Sequence, residues 1–158
     1  MPIVASAGQT IYAANINTIG LVGSVVSTGS NGTVTSGTTE TVDAVLGTLT
    51  FTALASRTYR INLHGRGLSG SVTADRFSVK FRYTIDGSTP TASSTLADHD
   101  HAYLIGAVTG TNGVSTFSYQ ALIVPGAATV KVVVTTTRTV GTGTATPVGA
   151  CQFWAEAI

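Results

Sequence analysis

The sequence predicts an all-β protein, an antiparallel and jelly-roll-like sandwich of about eight strands that is preceded by a short helical arm. Three observations lead to this prediction. Apolar and polar residues alternate with a period of two in several stretches after residue 47. Turns rich in Thr and Gly separate these stretches. Apolar residues at helical spacing occur near the start of the chain, and no pattern of helical length interrupts the strands.

The first 33 residues are predicted to form the arm. Tyr12, Ile16 and Ile19 recur at positions i, i+4 and i+7, which places them on one face of a short helix. The run STGSNG follows, and its composition is typical of a linker or turn. We therefore divide the chain into an arm, residues 1–33, which anchors the protein or contacts other copies, and a sandwich body, residues 34–158.

The strands of the body are predicted from alternation. The inward faces of the three clearest strands carry Leu49, Phe51 and Ala53; Tyr59, Ile61 and Leu63; and Phe77, Val79, Phe81, Tyr83 and Ile85. Further strands are expected in residues 96–108, 114–124, 129–137 and 148–158. The predicted core contains Phe51, Tyr59, Ile61, Phe77, Val79, Phe81 and Val132. The outer faces are expected to contact water or a neighbouring protein.

The composition limits the partners of the protein. Its 158 residues (16.0 kDa) are enough for one domain with a real core. Only 9% of the residues are charged and the formal net charge is +1, so no strong field attracts nucleic acid or an anionic membrane. A surface with so few charges is prone to self-association. We therefore expect much of it to be covered by further copies or by a larger assembly.

The single cysteine, Cys151, excludes an internal disulfide and a zinc site with several cysteines. It lies in the largely apolar run ACQFWAEAI, which predicts a buried thiol. The first residues do not resemble a secretory signal, and no apolar run is long enough to span a membrane. We therefore expect a protein made in a reducing cytoplasm, without membrane insertion.

The run LADHDHAYL is the one candidate metal site. In an extended strand, His99 and His101 share one face, and Asp98 and Asp100 share the other. Two ligands are too few for a stable site, so a third would have to come from His64 or from a symmetry-related copy. The alternative is a polar loop between strands. We favour the loop and predict no metal and no cofactor.

The sequence carries no recognisable catalytic motif, and it offers three aromatic candidates for glycan binding. The sequence has no G-x-S-x-G, no H-E-x-x-H and no phosphate-binding loop, and Glu40 and Glu156 are not in a paired-carboxylate context. We predict that the protein is not an enzyme. Tyr103, Tyr119 and Trp154 are candidates for a glycan platform, although they are equally compatible with buried core positions.

The opening motif AGQTIYAANIN resembles the start of many small virion proteins of tailed bacteriophages that infect actinobacteria. The run TVDAVLGTLTFTALASRTYRINLHGR, and the end of the chain from VPGAATVKVVVTTTRTVGTGTATP to FWAEAI, resemble the β-sandwich domain of phage minor tail proteins. The resemblance extends over most of the chain, and it lies in the patterning of the residues.

This resemblance implies a non-enzymatic structural protein of the virion, made in the host bacterial cytoplasm, with a homotrimer as the common state. Its partners would be itself and the major capsid or tail proteins. The arm would be the anchor; the alternative is a helix that folds back onto its own sandwich. A compact chain without a shaft favours capsid decoration. The alternative is a minor tail or tail-tip protein that binds a receptor or host-surface glycan.

Overall fold

The computed structural model describes residues 25–29, 37–43, 46–70, 72, 75–98, 101–104, 115–147 and 151–158. All regular secondary structure in these ranges is β-strand. The strands are β1 (Val25–Gly29), β2 (Thr41–Val42), β3 (Thr48–Ala53), β4 (Tyr59–Gly70), β5 (Arg76–Thr84), β6 (Thr95–Leu96), β7 (His101–Leu104), β8 (Ser115–Ile123), β9 (Ala128–Val140), β10 (Ala145–Pro147) and β11 (Cys151–Ala157). Eight of these described strands have four or more residues, which confirms the predicted all-β class.

The strands form two antiparallel sheets. In sheet A, β11 lies between β1 and β4. Farther along β4, β10 pairs with the same edge as β11, and β8 pairs with the opposite edge of β4. In sheet B, β9 lies between β5 and the pair β2 and β3, and the opposite edge of β5 pairs with β6 and β7. The predicted antiparallel sandwich is therefore correct.

The core lies between the two sheets and contains all seven residues named above as the predicted core. The seven predicted core residues are all buried: Phe51, Tyr59, Ile61, Phe77, Val79, Phe81 and Val132. Three aromatic rings join the layers at the centre. The ring of Phe81 in sheet B lies 4.3 Å from that of Tyr119 and 5.4 Å from that of Phe153, both in sheet A. Such ring contacts stabilise the fold in addition to the stabilisation that comes from the buried apolar area.

Two strand predictions need correction. Ile85, predicted on the inward face of β5, is 54% exposed because the strand ends at Thr84 and the chain turns at Asp86–Gly87. The single strand predicted for residues 96–108 is instead two short strands, β6 and β7. Asp98, with φ of 62°, interrupts them, because a left-handed residue cannot continue a strand.

Only a short part of the predicted arm is described. Val25–Gly29, assigned by composition to the arm and its linker, form β1 and pair with Cys151–Ala155 in sheet A. Tyr12, Ile16 and Ile19 lie outside the described residues, so the helix, its anchoring role and the boundary at residue 33 stay predictions. No helix capable of crossing a membrane occurs in the ranges that the structure describes.

Candidate contact surfaces and polar clusters

Glu40 organises a cluster of charged side chains on the outer face of sheet B. Glu40 directly precedes β2, and its carboxylate extends across β9 to β5. Lys80 Nζ donates to Glu40 Oε2 at 2.8 Å, and Arg82 Nε donates to Oε1 at 2.7 Å. Arg82 Nη2 adds a second bond to Oε2 at 3.0 Å, and the Thr135 hydroxyl donates to Oε1 at 2.6 Å. Glu40 therefore ties three strands together.

These contacts change the ionisation of Glu40. The carboxyl side chain is only 15% exposed, and that burial by itself would raise its pKa. The hydrogen bonds from Arg82, Lys80 and Thr135 outweigh burial and lower the pKa to about 2. Glu40 is therefore an ionised structural group, and its pKa is far from that of a general acid working near neutral pH.

A second ion pair lies on the outer face of sheet A. Arg60 Nη1 donates to Glu156 Oε1 at 3.2 Å, and both side chains are more than a third exposed. Beside them, the buried Asn62 donates from Nδ2 to the backbone oxygen of Arg60 and to Glu156 Oε1, each at 3.3 Å. Arg60 on sheet A and Lys80 and Arg82 on sheet B thus occur in ion pairs.

The three candidate glycan-binding aromatics do not form one platform. Tyr119 is 2% exposed and packs against Phe81 inside the core, so the prediction that its ring contacts a glycan is wrong. Tyr103 lies in β7, and its side chain is outside what the structure describes. Trp154 is half-buried on the outer face of sheet A, while its neighbour Phe153 is fully buried. Of the three, Trp154 is therefore the one glycan-binding candidate whose side chain is both described and partly exposed.

The candidate histidines are divided between the two sheets. His64 is exposed on the outer face of sheet A, which points away from sheet B, whereas the backbone of His101 lies in sheet B opposite Val79. His99 lies outside the described residues. His64 and His101 of one chain therefore lack the common strand face that a shared metal site needs. Among the described residues, no three His, Cys, Asp or Glu side chains group closely enough to hold a metal.

One end of the sandwich carries exposed apolar side chains. This loop end is formed by residues 54–58 and 124–127, which connect the two sheets, and by the end of β5. Ile85, Val124 and Ile158 are 54%, 68% and 51% exposed there. Tyr59 pairs with both Ile123 and Ala157, which places Val124 and Ile158 on either side of the same strand. The loop end therefore offers apolar surface for a protein contact.

The loop end also has an open depression of about 360 Å³, lined by Tyr83–Asp86 and Ser93–Thr95. Its polar groups are largely bonded to one another. Asp86 accepts from the backbone N–H of Ser88 at 2.9 Å and from its hydroxyl at 2.6 Å, and these bonds lower the pKa of Asp86. Thr84 Oγ1 donates to the backbone oxygen of Ser88 at 2.6 Å. We interpret the depression as a structured turn.

Two of these features were missed in the sequence. The sequence shows that Glu40 has no paired carboxylate, but its two cationic partners were not predicted. The signal was present: Lys80 and Arg82 share one strand face, where a nearby carboxylate stabilises two neighbouring cations. The loop end could not be found, because it depends on which strand ends meet in space.

Comparisons with known proteins give limited information. No family profile matches the sequence, and no curated protein is similar to it. Solved structures of infectious bursal disease virus align with 84% of the chain: the Gt strain (13% identity, TM-score 0.42), the Gx strain (10%, 0.35) and the VP2 subviral particle (13%, 0.29). The chain covers 33%, 37% and 37% of those chains, respectively. Similarity at TM-scores below 0.5 does not establish a shared function.

Proposed function

We propose that this chain is a non-enzymatic structural protein of a tailed-bacteriophage particle, in which the sandwich is the exposed body and the segment before Val25 attaches it to the particle. Capsid decoration is the place on the particle that we favour. One structural observation carries the proposal: the exposed side chains of Ile85, Val124 and Ile158 and the start of β1 lie at the same end of the sandwich.

This coincidence follows from the register of β1. Val25 pairs with Ala155, three residues before Ile158, so the chain enters β1 near the apolar loop end. Single exposed apolar residues are normal, but several at one end mark a protein contact. A partner that holds the predicted apolar stripe of the arm would therefore also cover Val124 and Ile158.

The composition and the resemblance support the same proposal. With 9% charged residues, the surface carries few groups that must lose their hydration when a neighbouring protein covers it. The motif AGQTIYAANIN and the patterning of the strands resemble small virion proteins of phages. Together these features favour a protein that is permanently built into an assembly.

The direct test is mass spectrometry of purified particles of the virus that encodes the chain. We expect peptides from the chain in a fixed ratio to the major capsid protein. Gold-labelled antibodies against the sandwich should then decorate the head. Labelling of the tail would favour the minor tail alternative, and absence of the chain from the particles would refute a virion role.

A second test addresses attachment. Particles without the protein are mixed with the full chain, with a chain lacking residues 1–24, and with a Val124→Ser, Ile158→Ser double variant. We expect both changes to weaken attachment. Val140→Ser is the matched control, because Val140 is 49% exposed but ends β9 at the opposite end of the sandwich. Equal attachment of all variants would contradict a role for the loop end.

The alternative is a minor tail or tail-tip protein that binds a host-surface glycan, and Trp154 is the observation that favours it. Trp154 is the ladder partner of Asn62 in sheet A, its side chain is half-buried on the outer face, and a sugar ring can stack on an indole face. A glycan array would separate the two functions. Binding that is lost in Trp154→Ala favours the alternative, whereas a blank array favours decoration.

A further inference from the structure

The outer face of sheet A places one indole ring between two planar polar side chains. Gln152, Trp154 and Glu156 alternate along β11 with buried residues, so they share the outer face at a spacing of about 7 Å. Gln152 is exposed, and Trp154 and Glu156 are partly exposed. An aromatic ring with a polar group on either side is therefore accessible from the solvent.

The carboxylate of Glu156 is held in place beside this ring. Its Oε1 accepts from Arg60 Nη1 at 3.2 Å and from Asn62 Nδ2 at 3.3 Å, and Asn62 is the ladder partner of Trp154. Neither bond uses Oε2, and the side chain of Glu156 is 38% exposed, so Oε2 can accept hydrogen bonds from a ligand. A carboxylate that is already oriented loses little rotamer freedom on binding.

Asn62 is a buried polar residue that is not fully satisfied. It is 1% exposed, and its Oδ1 has no hydrogen-bond partner among the residues that the structure describes. An unsatisfied buried acceptor destabilises a fold, so its presence calls for an explanation. An apolar residue at this position would avoid the unsatisfied atom but could not hold Glu156. The amide is therefore explained by the position that it gives to the carboxylate.

These side chains match the surface of a neutral sugar ring. A pyranose has a face of C–H groups, which packs on an aromatic ring, and hydroxyl groups around its edge, which donate to carboxylates and exchange hydrogen bonds with amides. The charged residues at the ladder positions around Trp154 are Arg60 and Glu156, and they neutralise each other. This part of the face therefore has no net charge that would attract an anionic ligand.

We propose that the outer face of sheet A binds a neutral pyranose, which stacks on Trp154 and donates hydrogen bonds from its hydroxyl groups to Glu156 and Gln152. Glu156 also makes the site selective, because its carboxylate repels sugars that carry a negative charge. The inference rests on the glycan-binding alternative above and specifies the class of its ligand. It is independent of the place of the chain on the particle.

The test uses the fluorescence of the full chain. Trp154 is the single tryptophan, so all indole emission comes from the proposed site. The chain is titrated with the methyl pyranosides of glucose, galactose and mannose and with the corresponding methyl uronides. We expect a saturable change with at least one neutral pyranoside and a dissociation constant at least about fivefold higher for its uronide. No saturable change with any neutral pyranoside, or equal binding of the uronide, would overturn the inference.

Glu156→Gln tests the carboxylate separately from the ring, because it removes the charge and keeps the shape of the side chain. The ratio of the two dissociation constants, uronide over neutral pyranoside, should fall to about one or lower, since Arg60 then has no anionic partner. Asp86→Asn is the matched control. It removes an exposed carboxylate beyond the end of β5 in sheet B, so the ratio should stay within about twofold of its original value.

The outcomes separate this inference from the proposed functions. An unchanged ratio in Glu156→Gln, or a preference of the unmodified chain for the uronides, would overturn the inference and leave glycan binding itself standing. None of these results changes whether the chain is found in the particle, so the virion proposal fails or stands separately.

Discussion

Glu40 and Arg82 form a two-point ion pair although 42 positions separate them in the chain, with Nε to Oε1 at 2.7 Å and Nη2 to Oε2 at 3.0 Å. Both side chains are about 15% exposed. Arg82 also donates from Nη1 to the backbone oxygen of Ser94 at 3.0 Å. The pair thus connects the residue before β2, the strand β5 and the turn before β6, and such parallel bonds to one carboxylate are stronger than a single contact.

We predict that Glu40→Gln lowers the free energy of unfolding by about 1–2 kcal/mol at pH 7, allowing for partial screening by solvent. The folded-state pKa of Glu40, about 2, lies below the ordinary value of 4.5. Its stabilisation is therefore complete above about pH 5 and is lost as the pH falls towards 2. Urea unfolding of both proteins from pH 7 to pH 2 measures the difference, which should shrink with acidification.

Glu156→Gln is the matched control for this prediction. Glu156 also pairs with an arginine, Arg60, but the two side chains are 38% and 39% exposed. Pairs that exposed contribute about 0–1 kcal/mol. An effect of Glu156→Gln as large as that of Glu40→Gln would contradict the role assigned to burial. A Glu40→Gln effect independent of pH would contradict the lowered pKa.

We predict that Phe81→Ala costs about 3–5 kcal/mol, because it removes a fully buried ring that contacts two further rings. Ile85→Ala, on the same predicted stripe but 54% exposed, should cost less than about 1 kcal/mol. Chemical denaturation of both variants provides the comparison. Similar losses at the two positions would mean that β5 continues past Thr84 into the core.

Gly141→Ala should destabilise the protein by about 2–4 kcal/mol. Gly141 has φ of 91°, and an added Cβ would overlap the buried carboxylate of Asp75, which accepts a hydrogen bond from the backbone N–H of Gly143. Gly126→Ala is the control with the same backbone strain, since its φ is 74° and its Cβ would meet nothing. Thermal melts of the two variants should differ, and equal melting temperatures would contradict the overlap.

Cys151 should be unreactive in the folded protein. Burial, followed by the charge of Asp43, raises the pKa of the thiol from 9.0 to about 11, and the residue is 1% exposed. Because the thiolate is the reactive form, labelling by a thiol reagent at pH 8 should be at least about a hundredfold slower than in urea. In the unfolded chain, one equivalent of thiol should react with the reagent. Fast labelling under native conditions would show that β11 opens easily.

Local patterns in the sequence were sufficient to predict most of the sandwich. Alternation places Leu49, Phe51 and Ala53 inward, and all three are buried, because the side-chain period of a strand is a property of its own backbone. Features that depend on strand ends were not predicted. Ile85 continues the alternation but lies beyond the last ladder pair of β5, and the surroundings of Glu40 depend on three strands that are distant in the chain.

The candidate site was less predictable than the fold. Tyr119 and Trp154 have similar sequence contexts, yet one is in the core and the other is on the outer face. A one-residue difference in strand phase decides between these positions, and composition does not reveal that phase. Trp154 could be placed only because Phe153, directly beside it, takes the inward position.

The position of β11 makes sheet A depend on contacts between distant parts of the chain. This strand lies between β1 and β4, so Ala155 pairs with both Val25 and Ile61. Sheet A is therefore incomplete until β11 is in place, and its closure requires contacts between residues far apart in the chain. Before that step, β1 and β4 have exposed edges. The formation of these non-local contacts thus limits how fast sheet A can be completed, and any assembly that uses the finished sheet must follow it.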